Sequence, residues 1–452
     1  MVAYAIQSYI VVILKPILKT RADIFMDRYH TVVIGGGCLG TASVIAIANQ
    51  LKQINKNPES VCLVEKNILS SALSIRHSGI VRAANADVNA AKLAKISTDM
   101  WMNIEQFWGV NIEPERTGAL WITKKDENGT NAKWDKLASD LKSVPVNFKK
   151  ITKDDAQKLC PDFVSLHNSE VFYHEPDAFQ LEPSYVRLAL YQSIRASNAT
   201  LFENEEVMGF KKNKANKITE VILTNRVIKT DNVINAAGAW SPKLFKNLGV
   251  NVPVGAEPVL VANWLNSLPS EKKSMPIIAD YTNRAYFRTW RDGEVHMHQP
   301  RNRWLDETRS LFADNHLDII GADFINNPVY QMQGLSNLHN YKDIANKRFN
   351  NLQNTVFSSG HQSYFDITPD LKFILGPDSK ITNLLHCLGS GQAFKYAPVF
   401  GEMMKQFIFA PGQLTDLGAN FSIKRFDGGF MKNFLDKYSG VNHTLNQNSN
   451  SL

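Results

Sequence analysis

Short apolar runs that alternate with amphipathic stretches predict an α/β fold for this chain. Residues 31–34 form an apolar run that is long enough only for a short buried strand, and residues 42–54 have the spacing of a helix. Residues 61–64 form a second apolar run of strand length. Strand, helix and strand in this order predict a βαβ unit, which is the building block of a parallel sheet.

The remaining elements are interleaved along the chain and do not form two consecutive blocks. A strand over residues 117–122 must belong to a sheet other than that of the βαβ unit. Predicted helices cover residues 88–108, 182–196 and most of an insertion at 311–349. Predicted strands cover 207–235, where the last strand is 232–235, and then 255–298, 373–375 and 384–386.

Composition supports a globular protein and argues against several classes. Of the 452 residues, 44% are hydrophobic and 21% are charged, which is enough to bury the cores of two domains. The 50 basic and 43 acidic side chains leave a net charge of +7 without a basic block, so no nucleic-acid partner is predicted. Four scattered cysteines without CxxC spacing predict neither a zinc site nor a disulfide framework, and they fit a reducing, cytoplasmic location.

The two ends of the chain differ from its centre. Lys15-Pro16 interrupts the apolar N-terminal segment, so neither part of it can span a bilayer, and no integral membrane span is predicted. We interpret residues 1–25 as a dispensable extension, with a peripheral membrane anchor as the alternative. Residues 439–452 are rich in Asn and Ser and are predicted to be a frayed tail.

The turn of the βαβ unit has the glycine spacing of a nucleotide-binding loop. Gly35 allows a tight turn, Gly37 lets the main chain approach phosphates, and Gly40 lets the helix pack closely on the strand. The helix begins at Cys38, so its positive end faces the phosphates. Glu65 follows the second strand, where a carboxylate accepts hydrogen bonds from an adenosine ribose. The pattern predicts a bound dinucleotide; a glycine-rich turn of an ordinary α/β protein is the alternative.

A second segment of small residues is predicted to approach the same ligand. The strand over residues 232–235 ends in Ala236-Ala237-Gly238-Ala239-Trp240. Small residues at the end of a buried strand let a cofactor lie against the backbone, because no side chain intervenes. Plain packing of a helix on the strand would produce the same pattern.

Seven segments in order, spread over residues 28–425, resemble one family of flavoenzymes. They are the opening GGGCLG, SIRHSGIVR at 74–82, TGALWIT at 117–123, YHEPDAFQLEP at 173–183, VINAAGAWSPKL at 233–244, DITPDLKFILGP at 366–377 and LGSGQAFKYAPVFGE at 388–402. The chain resembles the flavin-dependent amine and D-amino acid oxidoreductases, a group that contains monomeric sarcosine oxidase, glycine oxidase and dimethylglycine dehydrogenase. The resemblance implies a Rossmann-like FAD-binding domain interleaved with a mixed-sheet substrate domain that covers the flavin ring.

The resemblance also implies domain boundaries and a set of cofactor-binding residues. The FAD-binding domain would comprise residues 26–100, 171–250 and 356–428, and the substrate domain 101–170 and 251–355, between an extension at 1–25 and a tail at 429–452. The residues implied for FAD binding are Gly35, Gly37, Cys38, Gly40, Glu65, Lys66, Ser74, His77, Ser78, Val207, Ala237, Gly238, Gly389, Gly391, Gln392, Ala393 and Phe394.

Two cations fall where sarcosine-oxidase-like enzymes bind the substrate carboxylate. The resemblance implies that Arg82 and Lys395 form this pair. Arginine offers a bidentate grip and lysine a point charge, and hydride transfer requires the substrate carbon to be held close to its productive position. The alternatives are that Arg82 forms a structural ion pair and that Lys395 lies on the surface.

Three further positions bear on how the flavin is attached and reoxidised. His77 lies in a stretch resembling the one in which dimethylglycine dehydrogenases link histidine to the flavin 8α-methyl group, but Gly79 comes one position early, so we expect noncovalent FAD. Ser363 stands at the flavin-bearing cysteine of monomeric sarcosine oxidase and excludes a thioether there. His296 stands in place of the lysine that activates dioxygen in that enzyme, and a protonated histidine could stabilise developing superoxide. The acceptor is left open between dioxygen, a quinone and another protein.

A polar cluster is predicted in the second domain. Arg284, Tyr286, Arg288 and Trp290 alternate, which predicts that they share one face of a strand. If that face roofs the site, the substrate is larger or more anionic than sarcosine. A polar outer face with cation–π pairs is the alternative.

The predicted activity is oxidation of the C–N bond of an amino acid or N-alkyl amino acid to an imine, by hydride transfer to flavin N5. The implied cofactor is FAD, the implied partner is a small amino acid or amine, and no metal is implied. One alternative is FAD-dependent oxidation of a 2-hydroxy acid, with His77, His296 or His298 as the base. The other is a flavin-binding subunit of a hetero-oligomeric dehydrogenase, without chemistry of its own.

Overall fold

The computed structural model describes residues 28–160, 164–265, 275–289, 295–300, 338–350, 356–413 and 416–427. The predictions for residues 1–25, for the tail at 439–452 and for most of the insertion at 311–349 therefore lie outside the described residues. Of that insertion, Leu338–Arg348 is described and forms a helix.

The strands of the described residues are labelled in chain order. They are β1 (Arg28–Ile34), β2 (Val61–Val64), β3 (Ile80–Val81), β4 (Ala119–Lys124), β5 (Lys149–Ile151), β6 (Glu170–Glu175), β7 (Phe179–Gln180), β8 (Thr200–Phe202), β9 (Val207–Lys212), β10 (Ile218–Leu223), β11 (Val227–Asn235), β12 (Gly255–Leu265), β13 (Ile277–Asp280), β14 (Ala285–Thr289), β15 (Val295–Pro300), β16 (Val356–Ile367), β17 (Ile374–Pro377) and β18 (Leu384–Leu388).

The α-helices are labelled in the same way. They are α1 (Cys38–Gln53), α2 (Val88–Met102), α3 (Ile104–Trp108), α4 (Ala132–Asp140), α5 (Lys153–Leu159), α6 (Pro183–Ser197), α7 (Ser241–Phe245), α8 (Leu338–Arg348), α9 (Ala393–Phe409) and α10 (Asp416–Ala419).

The first sheet contains the predicted βαβ unit. Its order is β17-β18-β11-β1-β2-β8, with β10 beside β11 and β9 beside β10. β1 lies parallel to β2 and β11, and its Val32 and Val33 are fully buried, as expected of a parallel sheet covered on both faces. Helix α9 packs on α1 so closely that a Cβ at Gly401 would lie 2.6 Å from the carbonyl oxygen of Ala42.

The second sheet is mixed and has the order β16-β12-β15-β14-β13-β4-β6-β5. β4 pairs parallel with β13, whereas the other neighbouring strands pair antiparallel. The strand predicted over residues 117–122 is β4, and it does lie in a different sheet from the βαβ unit. β6 and β16 also belong to this sheet, although the sequence assigned most of their residues to the FAD-binding ranges 171–250 and 356–428. The α/β fold with a second, mixed sheet is confirmed.

Two local predictions were wrong for identifiable reasons. The helix predicted over residues 88–108 is divided into α2 and α3 at Asn103, whose side-chain amide donates to the carbonyl oxygen of Asp99 at 2.9 Å. This side chain competes with the helical backbone pattern. Arg284 does not share the face of β14, because it precedes the strand in a turn and has a φ of 54°.

The described ranges contain no helix long and apolar enough to cross a membrane. Within the same residues, no group of three or more His, Cys, Asp or Glu side chains is arranged to hold a metal ion. Cys38, Cys62, Cys160 and Cys387 are all buried and form no disulfide.

Candidate functional site

A cavity of about 740 Å³ opens at the carboxyl end of β1, next to the start of α1. It lies where ligands bind in doubly wound sheets, outside the carboxyl ends of parallel strands. Ten of the predicted cofactor residues line it: Gly35, Gly37, Cys38, Glu65, Lys66, Ser74, Val207, Ala237, Gly238 and Ala393.

The three glycines of the turn are required by different contacts. Gly35 has a φ of 106°, and a Cβ there would lie 2.5 Å from the carbonyl oxygen of Ala236. A Cβ at Gly40 would lie 2.0 Å from the carbonyl oxygen of Gly35, so only glycine lets α1 pack on the turn. A Cβ at Gly37 would meet only the Ser74 hydroxyl, at 2.9 Å, because this glycine faces the cavity.

The N-terminus of α1 donates a hydrogen bond to a side chain outside the helix. Gly37 is the N-cap and has no capping side chain, while the Cys38 backbone N–H donates to the Ser74 hydroxyl at 2.9 Å. The helix is 16 residues long, so its N-terminus carries the partial positive charge that favours a phosphate. The Ser74 hydroxyl therefore lies at the same helix N-terminus that favours a phosphate.

The Glu65 carboxylate holds the glycine-rich turn in place. Its Oε2 accepts from the Gly36 N–H at 2.8 Å, and its Oε1 accepts from the Asn67 N–H at 2.8 Å. The ammonium of Lys66 lies 4.6 Å from the ring centroid of Trp240, and both residues line the cavity. Ribose binding by Glu65 stays a prediction, and the structure adds a role in fixing the turn.

The small-residue turn at Ala237 and Gly238 is held by a chain of buried hydrogen bonds through Asn235 and His386, called the Asn235–His386 relay below. The sequence pattern did not reveal it. The Asn235 Oδ1 accepts from the Ala237 N–H at 3.1 Å and from the Ser241 hydroxyl at 2.9 Å. The Asn235 amide nitrogen lies 3.1 Å from His386 Nδ1, and His386 Nε2 lies 3.0 Å from the Asp378 carboxylate. Only the pairing of β11 with β18 brings Asn235 and His386 together, so no local signal could have found the relay.

Arg82 directly follows β3, and its guanidinium lies near two aromatic rings and a backbone carbonyl oxygen. Its guanidinium is 4.5 Å from the ring centroid of Trp121 and 6.0 Å from that of Tyr286, and it donates to the carbonyl oxygen of Ala84. Burial lowers the pKa of Arg82, but Tyr286 and other nearby acidic groups outweigh it, so the net shift is upward. Arg82 therefore remains a cation.

Lys395 is buried in the first turn of α9, with 6% of its surface exposed, so the alternative of a surface lysine is wrong. Its carbonyl oxygen accepts from the Ser97 hydroxyl at 2.7 Å and from the Trp101 indole N–H at 3.1 Å, which fixes the backbone. The Nζ has no hydrogen-bond partner among the described residues and lies 4.9 Å from the Tyr396 ring centroid. Burial and then the charge of Arg82 hold the pKa of Lys395 well below its usual value.

The comparisons with known proteins were made against this geometry. The sequence model of the FAD dependent oxidoreductase family matches residues 30–407 of the chain. The chain belongs to this family of FAD-dependent oxidoreductases. The predicted resemblance is confirmed, and FAD is the cofactor of the family.

Curated relatives and solved structures agree with this assignment. Over 415 residues the chain is 23% identical to 4-methylaminobutanoate oxidase (formaldehyde-forming) from Paenarthrobacter nicotinovorans. The aligned region covers 90% of this chain but 47% of the relative. It is 26% identical over 239 residues to glycine oxidase from Pseudomonas putida, covering 51% of the chain and 60% of the relative. The chain thus spans about half the length of these relatives. The structure of L-proline dehydrogenase from P. horikoshii superposes with a TM-score of 0.72 at 20% identity, covering 89% of this chain and 99% of the other, which shows a shared fold.

FAD fits the residues that this oxidoreductase presents. The cavity is lined by glycines and alanines where a diphosphate would pass, and a side chain on Gly37 would enter it. Val207, the first residue of β9, is buried and lines the cavity, and its contact with the adenosine stays a prediction. Gly35, Gly37 and Cys38 would hold the diphosphate, and Glu65 would hold the ribose.

A buried carboxylate that the sequence pattern did not single out holds the loop before α9 by two hydrogen bonds. Asp366, at the end of β16, is buried and accepts from the Gly389 N–H at 3.1 Å and the Gly391 N–H at 3.0 Å. Burial raises the pKa of Asp366 despite these two donors. These two N–H groups therefore shape the loop, and the Gln392 N–H is also engaged, since it donates to the Gly389 carbonyl oxygen at 3.1 Å. FAD binding by the segment from Gly389 to Phe394 stays a prediction.

His77 is a neutral ring packed against the start of α9. Its Nδ1 accepts from the Gly79 N–H at 2.9 Å, and the ring stacks on Phe394 with centroids 3.7 Å apart. Burial, followed by the charge of Arg288, lowers the pKa of His77 to about 3. Position 79, where glycine comes one position earlier than in the dimethylglycine dehydrogenase stretch, requires glycine in this chain. Gly79 has a φ of 68°, and a Cβ there would lie 1.9 Å from the carbonyl oxygen of Leu181. Ser78 lies between the two residues, in the same loop.

The Nε2 of His77 is buried and has no hydrogen-bond partner among the described residues, but His77 does not line the cavity, so its contact with the flavin stays a prediction. We expect a noncovalent contact. Acid precipitation of the purified protein should then release the flavin into the supernatant. Flavin that stays in the wild-type pellet but leaves the pellet of His77→Ala would demonstrate a covalent link and contradict this expectation.

His296 and Ser363 lie on strands of the second sheet. His296 in β15 pairs with Asn263 of β12 and with Arg288 of β14, and Ser363 in β16 pairs with Val259. Their side chains, like Trp290, lie outside the described residues. The roles predicted for His296 and Ser363 therefore stay predictions.

Proposed function

We propose that this chain oxidises the C–N bond of an amino acid or N-alkyl amino acid and binds the substrate carboxylate between Arg82 and Lys395. One observation carries the proposal. The Lys395 ammonium is buried beside a second cation without a hydrogen-bond partner among the described residues. The cost of a buried, unpaired ammonium is what lowers the Lys395 pKa, and a carboxylate bound beside it would favour the charged form again, so the site suits a ligand that brings a carboxylate.

The surroundings of Arg82 favour a fixed guanidinium. Trp121 packs against one face of the guanidinium group, and the Ala84 carbonyl takes one of its five N–H donors. The remaining donors can grip a planar carboxylate in two parallel hydrogen bonds. Arg82 and Lys395 would thus orient the substrate, while Tyr281 and Tyr286, whose hydroxyls lie 2.7 Å apart, narrow the space beside it.

When bound, FAD supplies the two-electron oxidation by accepting a hydride from the substrate carbon next to nitrogen, which leaves an imine that water hydrolyses. The chain's own residues provide orientation and exclusion of water. His77 cannot serve as a cation here, because its pKa is lowered to about 3. The reaction needs no strong base if the amine binds in its neutral form. The names of the relatives, which refer to amino acids, support an amine over a 2-hydroxy acid.

Anaerobic titration of the flavin absorbance with matched compounds tests the proposal. We would use 4-methylaminobutanoate with N-methylpropylamine, L-proline with pyrrolidine, and glycine with methylamine; each second compound lacks only the carboxylate. At least one carboxylated member should bleach the flavin, and its partner should do so much more weakly. Reduction by glycolate or lactate alone would favour the 2-hydroxy acid activity instead. FAD that none of these compounds reduces would favour a subunit without chemistry.

A further inference from the structure

Glu175, the last residue of β6, is a carboxylate buried between β4 and the segment that follows β3. It is 1% exposed and accepts three hydrogen bonds. Its Oε1 accepts from the Ala83 N–H at 2.6 Å and the Ala84 N–H at 2.9 Å, and its Oε2 accepts from the Trp121 indole N–H at 3.1 Å. The described part of the chain offers it three N–H donors and no hydroxyl or carbonyl partner, which fits an ionised carboxylate, because that group only accepts.

Each of these donors belongs to the surroundings of Arg82. Ala83 and Ala84 follow Arg82 directly in the chain, and Ala84 also accepts from the guanidinium. Trp121 is the ring over which the guanidinium lies. Glu175 therefore fixes both the main chain that carries Arg82 and the ring against which Arg82 packs.

The same carboxylate also balances charge. Arg82 and Lys395 are two cations that repel each other in a buried setting, and Glu175 acts on both of them with the opposite sign. Among the described residues, the hydroxyls of Tyr281, Tyr286 and Tyr396 also face Arg82. Asp87, at the start of α2, is already engaged by Lys372 at 2.7 Å. Two cations and one anion leave a single net positive charge.

We propose that Glu175 is the positioning residue of the carboxylate clamp, which is the pair of Arg82 and Lys395 that binds the substrate carboxylate. It holds Arg82 through the two amides and Trp121, and its charge reduces the Arg82–Lys395 pair to one net positive charge, matched to a substrate with a single carboxylate. The proposal rests on the function proposed above.

The first test compares Glu175→Gln with the wild-type holoenzyme, with acetate as the probe and acetamide as the uncharged control. Acetate binding, followed by the flavin absorbance, should be strong while Lys395 is protonated and should be lost as the pH rises through the Lys395 pKa. Removing the Glu175 charge lowers that pKa further, so the midpoint should move to lower pH by about one unit or more. Affinity that falls equally at every pH, with an unmoved midpoint, would mean that Glu175 acts only through its hydrogen bonds, and the proposed charge balance would be wrong. Unchanged affinity and an unmoved midpoint would overturn both roles.

The second test needs no ligand. At a pH below the midpoint found for Glu175→Gln in the first test, where Lys395 is protonated, this variant leaves two buried cations without an anion, so it should lower the FAD content and the unfolding temperature. Adding Lys395→Met returns the site to one net positive charge, and the double variant should regain most of both losses. If Glu175→Gln alone fails to fold, the double variant should still fold and bind FAD. A double variant no better than Glu175→Gln would overturn the charge-balance role. The function proposed above fails separately, if Lys395→Met alone binds acetate as the wild type does.

Discussion

Gly37→Val is expected to yield a protein that contains no FAD and cannot take it up. Gly37 faces the cavity at the start of α1, where the main chain must approach the diphosphate. A valine side chain would occupy that volume and would press on the Ser74 hydroxyl, which lies 2.9 Å from the Cβ position. The measurement is the flavin absorbance of the purified variant before and after incubation with excess FAD.

Gly412→Val is the matched control, because a Cβ at Gly412 would meet nothing within 4 Å. It should stay yellow. Circular dichroism should show that Gly37→Val keeps its secondary structure, since the expected clash is with a side chain and the ligand and not with the backbone. A yellow Gly37→Val protein would contradict the placement of the diphosphate, and a colourless wild type unable to bind FAD would contradict the cofactor assignment.

Local sequence patterns were sufficient for the parts of the fold that depend on neighbours in the chain. The βαβ unit follows from the apolar runs and from glycines whose contacts lie within one turn of strand and helix, as with Gly40 and Gly35. The strand at 117–122 could be separated from the first sheet because the elements around it were interleaved. Seven family segments then placed Arg82 and Lys395 in one site, although they are far apart in the chain.

What sequence reasoning missed depends on contacts between distant segments. Glu175 hydrogen-bonds the Ala83 N–H across 92 positions, and this contact exists only because β6 pairs with β4 while the loop after β3 crosses their end. Asp366 and the Asn235–His386 relay are of the same kind. Most buried polar groups have a hydrogen-bond partner, but that partner cannot be identified from sequence spacing. Glu175 stood inside the matched segment YHEPDAFQLEP, which was the available signal.

Lys395→Met is expected to raise the apparent dissociation constant of a carboxylated substrate by roughly 30-fold or more, with FAD content nearly unchanged. Removing one partner of a desolvated charge pair costs about 2 to 5 kcal/mol, and each 1.4 kcal/mol is tenfold in affinity. Methionine keeps most of the side-chain volume, so α9 should still pack on Ser97 and Trp101, which bind only the Lys395 carbonyl. Stopped-flow reduction of the flavin at several substrate concentrations measures the change.

Two controls make the result specific to the charge. Lys405→Met removes a lysine from the same helix, but one whose ammonium contacts Glu402 and not the clamp, and it should behave as the wild type. The amine without a carboxylate never made the contact, so Lys395→Met should change its reduction kinetics little. If Lys395→Met weakened the amine and the amino acid equally, the lysine would act on the shape of the site or on the flavin. The unpaired, buried ammonium would then need an anion other than the substrate, and the amino-acid assignment would lose the residue that supports it most directly.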